Sequence, residues 1–251
     1  MNASRGAMRA AVVVALAALT ANAVAADIRV LSAAAAKGPL VETAVAFERD
    51  TGKSVELEFT TAGRVDSRVA GGEAADLVVN SRARLDAMVA KGVRAGTVRD
   101  LGTVHVGVAV RSGSPKPDVS TVEAFRAALL AAQSVAYTDP AAGGTAGGYF
   151  ATVIERLGIA DALAGKRHLA ADGLDVMRKI KSGEVELGIT QVSEILLVDR
   201  TTYVGPLPEA LQQPTIYAVF VPATATSAAR ALADALTSAA GRARFDAAGF
   251  E

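Results

Sequence analysis

The chain has no cysteine, no tryptophan, only two histidines and no excess of either charge, with 26 Lys plus Arg against 26 Asp plus Glu. Each shortage removes a class of function. Without cysteine there is no disulfide, no thiol nucleophile, no thiolate metal site and no lipid-bearing cysteine at an export cleavage site. His105 and His168 stand far apart in strand-like segments, which does not fit zinc-site spacing. No metal and no cofactor are therefore expected. Balanced charge, with no basic run interleaved with its 7 Phe and 4 Tyr, argues against a nucleic-acid partner. No Ser-His-Asp order and no paired-carboxylate motif appears, which disfavours hydrolysis.

Long apolar runs are also scarce. The run Ala10–Leu19 falls short of the ~20 residues that span a bilayer, so no membrane span is expected. Arg5 and Arg9 precede it, and Ala21-Asn22-Ala23-Val24-Ala25-Ala26 follows. A charged start, a short apolar core and an Ala-x-Ala-type site make a secretory signal peptide over residues 1–26. Cleavage near Ala25 or Ala26 leaves a free product in the periplasm.

What the chain does have is glycine in one telling place. The stretch Tyr137-Thr138-Asp139-Pro140-Ala141-Ala142-Gly143-Gly144-Thr145-Ala146-Gly147-Gly148 joins a short apolar strand to an amphipathic helix. Glycine lets backbone N–H groups approach a ligand, and a helix start supplies unpaired N–H donors and a positive dipole end. Together they make an anion site that needs no charged side chain. No Gly-Lys-Ser/Thr follows, so it is not a P-loop.

The rest reads as two successive α/β units. Strands are expected at Ile28–Ser32, Ser54–Phe59 and Asp76–Val79, alternating with helices, then at Val104–Val110. The pattern restarts at Ser134–Tyr137 and continues through Arg167–Leu169 and Leu187–Thr190. Ser120-Thr121-Val122-Glu123 matches a capping box. Tyr203–Pro206 and Thr215–Val221 read as crossing strands, and two alanine-rich helices close the chain. The expected architecture is an α/β fold of two lobes with mostly parallel sheets and a cleft between them. Residues 27–105 plus 215–251 form the first lobe, and 106–214, with the crossing strands, the second. Ligands of open α/β sheets bind beyond the carboxyl ends of strands. That points to the loops Ala33–Gly38, Thr60–Arg64 and Asn80–Arg82 on one lobe, and Thr138–Gly148, Ala171–Leu174 and Gln191–Glu194 on the other.

This order resembles type II periplasmic solute-binding proteins, and within them the molybdate-binding proteins of ABC importers. The resemblance is carried by Val30-Leu31-Ser32-Ala33-Ala34-Ala35, Gly72-Glu73-Ala74-Ala75-Asp76-Leu77, Asp139-Pro140 with Ala146-Gly147, and Leu187-Gly188-Ile189. It implies an ABC transporter permease as partner and a monomer. In that family two serines and a tyrosine donate hydroxyls to the oxyanion; the matching positions are Ala35, Ala62 and Gln191. Two backbone donors fall at Ala146 and about Gly173. Asp100-Leu101-Gly102, Ser134-Val135-Ala136-Tyr137, and Gly183-Glu184 with Gln191 and Ser193-Glu194 are similar to a divergent branch that includes aconitate isomerase.

Two functions fit. A binding protein needs anion donors and no reactive group. Lys37 and Arg64 are candidate cations for a carboxylate; Thr61, Thr145 and Gln191 are neutral donors; Ala35, Ala62, Ala146, Gly147 and Gly173 offer backbone or space. An isomerase needs a placed base, and Lys37, Glu194 and Tyr149 are the candidates. The binding protein is the preferred reading, Glu194 being expected to face solvent or cap a helix. The missing hydroxyls point to a small di- or tricarboxylate in place of molybdate.

Overall fold

The structure, a computed structural model, describes residues 26–251, so the expected signal peptide lies outside the described residues apart from Ala26. The chain opens with β1 (Ile28–Ala33), whose apolar run is buried. A 3-10 turn at Ala34–Ala36 leads into α1 (Lys37–Thr51). β2 (Val55–Thr60), α2 (Ala62–Ala70), β3 (Leu77–Ser81), α3 (Arg82–Ala90) and β4 (Gly96–Val104) follow. The second unit holds β5 (Val106–Val110), α4 (Val122–Ala131), β6 (Val135–Thr138), α5 (Thr145–Arg156), α6 (Ala160–Ala164), β7 (Arg167–Ala170) and α7 (Gly173–Ser182). It ends with β8 (Leu187–Gln191), α8 (Val192–Val198) and β9 (Tyr203–Pro206). Then β10 (Thr215–Pro222) returns to the first sheet, with α9 (Ser227–Thr237) and α10 (Ala239–Ala247) packed behind it.

The two sheets run β2-β1-β3-β10-β4 and β7-β6-β8-β5-β9. Each is parallel over its first three strands, as the α/β alternation implies. The strands that carry the chain between lobes pair antiparallel: β10 with β3 and β4, and β5 with β8 and β9. Both faces of both sheets bury apolar side chains under helices, which explains why the central strands β3 and β5 read as apolar runs, whereas the edge strand β2, half-buried, alternates.

Two expectations need correction. Val104–Val110 is not one strand. It breaks at His105 into the end of β4 and the start of β5, one in each sheet, because the chain passes from lobe to lobe there. The carbonyl of His105 turns aside to accept from Val192 N–H at 2.9 Å. The cap of α4 is Thr121, whose hydroxyl accepts from Ala124 N–H at 3.1 Å; Ser120 is instead held by Asp118.

Two features fix the loops that matter. Tyr137 of β6 meets Phe150 of α5 edge to face, with ring centroids 5.1 Å apart, and so clamps the strand and helix on either side of the glycine-rich loop. Such a pair adds roughly 0.5–1.5 kcal/mol beyond its buried area. On the first lobe, Arg29, Glu58, Arg68 and Glu73 form an ion-pair network joining β1, β2 and α2. Its members are about one-third exposed, so the network orients α2 more than it stabilises it.

Candidate functional site

Five helix starts converge on one small cavity between the lobes: the 3-10 turn at Ala34 and α2 at Ala62 from one side, and α5 at Thr145, α7 at Gly173 and α8 after Gln191 from the other. The residues before three of them, Ala33, Thr61 and Gly144, have extended backbones and no side-chain cap. Their first-turn N–H groups are therefore left for something other than a cap. The cavity is small, with a volume of about 20 Å³. That is room for about one water as it stands.

The lobes touch across its mouth. The Thr61 hydroxyl donates to the Ala142 carbonyl at 2.5 Å, and Gly63 N–H donates to the Gly143 carbonyl at 2.9 Å. The structure is thus the closed form of the cleft.

Inside, Gln191 is 2% exposed; its amide stands in the capping-box position over the Glu194 N–H and beside the Tyr217 phenol, but meets strict hydrogen-bond geometry with neither. Gln191 and Glu194 stand in capping-box positions, but the bond that closes is the return one, Gln191 N–H to Glu194 Oε2 at 3.4 Å. The Thr145 hydroxyl is buried beside the Tyr217 phenol, again outside strict hydrogen-bond geometry; that of Ser193, off the cavity wall, is buried without a partner. A buried polar group without a good partner costs about 1–3 kcal/mol, so the Gln191 amide and the Thr145 hydroxyl on the cavity wall mark a place where a ligand supplies bonds. Tyr217 enters from β10, fully buried beside Thr145 and Gln191; burial and the nearby Glu194 charge raise its phenol above the ordinary range.

Glu194 is the one carboxyl buried at the centre. Thr190 donates its hydroxyl to Glu194 Oε2 at 2.5 Å. Burial pushes its pKa up to about 7, and the charge of Asp172 adds to the rise, while the Thr190 and Gln191 donors oppose it. Its room depends on Gly173: a Cβ there would sit 1.9 Å from Glu194 Oε2 and 2.3 Å from the Thr190 hydroxyl. Asp172 spends one oxygen on capping α7, accepting from Asp175 N–H at 2.7 Å.

Of the residues named from sequence, Ala35, Thr61, Ala62, Thr145, Ala146, Gly173, Gln191 and Glu194 line the cavity. Others stand apart. Gly147 packs against β6, where a Cβ would meet the Thr138 carbonyl at 2.0 Å, so it is a close-packing glycine. The Lys37 ammonium lies 5.5 Å from the centre of the Phe59 ring, away from the cavity wall. Arg64 is exposed on α2. Tyr149 donates its hydroxyl to Leu211 O at 2.9 Å. The loop at Asn80 does not reach the cavity; its amide donates to Ala62 O at 3.0 Å and to Asp66 at 2.8 Å, bracing the start of α2. Of the two places expected for Glu194, it takes the helix cap, accepting from Gln191 N–H, and not solvent, because α8 begins at the bottom of the closed cleft. Thr138, Asp172, Thr190 and Tyr217 also line it; the first two lie in loops expected to face the cleft, but none of the four was named as a ligand residue. Only Asp172 carries a local signal, as an aspartate just before a helix.

The profile of bacterial extracellular solute-binding proteins matches residues 28–251, essentially all of the described chain. The chain belongs to that family. It is 34% identical over 219 residues to a Pseudomonas protein named aconitate isomerase, covering 83% of this chain and 81% of that one. Among solved structures, the periplasmic molybdate-binding protein of Azotobacter vinelandii superposes with a TM-score of 0.72 at 16% identity, over 90% of this chain and 99% of that one. A sulfate-binding protein of Mycobacterium tuberculosis gives 0.68 at 18% identity, over 89% and 85%. The fold is the two-lobed type II binding-protein fold, shared with the molybdate- and sulfate-binding proteins. No helix of the described residues is long and apolar enough to cross a membrane.

Proposed function

We propose that this solute-binding protein, exported to the periplasm, captures a small carboxylate between its lobes and presents it to an ABC importer. The observation that carries this is the convergence of uncapped helix starts from both lobes on one small cavity with the buried Gln191 amide on its wall. Backbone N–H groups and helix dipoles suit an anion. The alanines at 35 and 62 leave side-chain space where the oxyanion proteins it resembles place serines. The relative named aconitate isomerase adds support for a carboxylate. A thermal-shift panel of citrate, cis- and trans-aconitate, succinate, molybdate, tungstate and sulfate tests it. The carboxylates give the larger shifts; a largest shift with molybdate or tungstate overturns the reading.

A second reading is favoured by Glu194. A buried carboxyl whose pKa is pushed up to about 7 can hold a proton or release it at neutral pH, which suits proton transfer. In an isomerase it removes a proton from the methylene carbon of an aconitate and returns one to the former vinyl carbon. The double bond shifts, with no net gain or loss of protons or electrons. Proton NMR of cis-aconitate with catalytic protein in D₂O tests it: trans-aconitate carrying carbon-bound deuterium supports isomerisation, and an unchanged spectrum excludes it.

A further inference from the structure

The polar inventory of the cavity is unbalanced. Its donors are backbone N–H groups, the Gln191 amide and the hydroxyls of Thr145 and Tyr217, yet two carboxyls, Glu194 and Asp172, share the same wall. No lysine, arginine or histidine lines it among the described residues. Around Glu194 the titratable groups are Asp172 at the start of α7 and the Tyr217 phenol of β10. The 3-10 turn contributes alanines, and the start of α5 contributes glycine, threonine and alanine. Glu194 Oε2 accepts from Thr190 and from Gln191 N–H, whereas Oε1 has no protein partner among the described residues. An anionic ligand drawn to the helix starts would meet a bare carboxylate oxygen at close range, in surroundings with little screening and no cation to intervene.

We infer that the site binds its anion together with one proton, carried on Glu194 Oε1, so that Glu194 is a specificity-determining donor to the ligand. The protonated carboxyl accepts from Thr190 through Oε2 and donates to a ligand carboxylate through Oε1, so every atom of the group is used. The like charge is removed and a hydrogen bond replaces it. Asp172 keeps its charge, since it caps α7. The proton comes from solvent and returns there on release, so no other reactant is needed. The same arrangement disfavours ligands that offer no acceptor to a carboxyl proton. This rests on the carboxylate-capture reading.

Isothermal titration of the protein with citrate and with trans-aconitate at pH 8, in buffers of different ionisation enthalpy, tests it. Both ligands are fully ionised there, so proton exchange reports on the protein. The expected result is uptake of close to one proton per ligand bound, with affinity falling about tenfold per pH unit above pH 8. In Glu194→Gln, whose amide also donates, binding persists, uptake disappears and the affinity becomes flat with pH. Binding by the wild type without proton uptake overturns the inference and leaves carboxylate capture standing. No binding of either acid at any pH defeats the capture reading itself. The wild-type buffer series decides the point even if the variant folds poorly.

Discussion

Gly63 on the first lobe and Gly143 on the second meet backbone to backbone. The Gly63 N–H donates to the Gly143 carbonyl, and a Cβ on Gly63 would stand 3.0 Å from Gly143 Cα. With the Thr61 hydroxyl on Ala142 O, this contact bridges the mouth of the cleft, while behind it α8 packs on the first lobe and puts Val192 into that lobe's core.

Gly63→Ala is therefore expected to leave each lobe folded and to oppose closure. Its Cβ meets backbone, which cannot rotate away. Ligand affinity falls roughly tenfold, about 1.4 kcal/mol, with little change in unliganded melting temperature. Small-angle scattering checks it: the liganded variant keeps a larger radius of gyration than the liganded wild type. An equal radius and equal affinity would show that the contact does not govern closure.

Gln191→Leu separates a binding residue from a structural one. The wild-type amide is buried in the closed form without a partner in good geometry, so replacing it removes a desolvation penalty of about 1–3 kcal/mol from that form. The free variant is expected to melt at the same temperature or higher, while its carboxylate affinity drops at least tenfold. Chemical denaturation and titration read the two effects separately; a destabilised variant that binds normally contradicts the assignment.

Glu194 should make the free protein less stable as pH rises. Its folded pKa, pushed up to about 7, lies above the ordinary 4.5, so the folded state binds more protons between those values. Stability from this group is full below about pH 4.5 and is lost as pH rises towards 7, by roughly 3 kcal/mol in all. Glu194→Gln is expected to match the wild type near pH 4.5 and exceed it at pH 8. The comparison uses the difference between the two proteins, because surface carboxylates held low by partners, such as Glu58 beside Arg29 and Arg68, pull the other way in both. A constant difference across this range would rule out the shift.

Arg64→Ala is expected to change carboxylate affinity less than twofold. The guanidinium is exposed on α2 and forms no part of the cavity wall, despite its place in a cleft loop. A loss of tenfold or more in titration would show that arginine reaches the ligand.

The sequence by itself determined the layer architecture and the location of the donor loops. Runs such as Ile28–Ala33 and Val135–Thr138, each followed by a break and an amphipathic stretch, allow little but strand–loop–helix units, because period and burial are local properties. Ala35, Ala62, Ala146 and Gly173 were found through the resemblance to the molybdate-binding proteins, and they lie at helix starts, which offer their N–H groups whatever the side chain. Tertiary structure alone decided the rest. Lys37 and Arg64 sit beside the donor loops in sequence, yet a helix turns side chains by about 100° per residue, and theirs point away from the cavity. Tyr217 reaches the cavity only because β10 crosses back between β3 and β4. Glu194 reads locally as a first-turn acid facing water. It becomes the buried carboxyl of the site because two lobes close over the start of α8, and burial is a property of the closed pair that no stretch of chain contains.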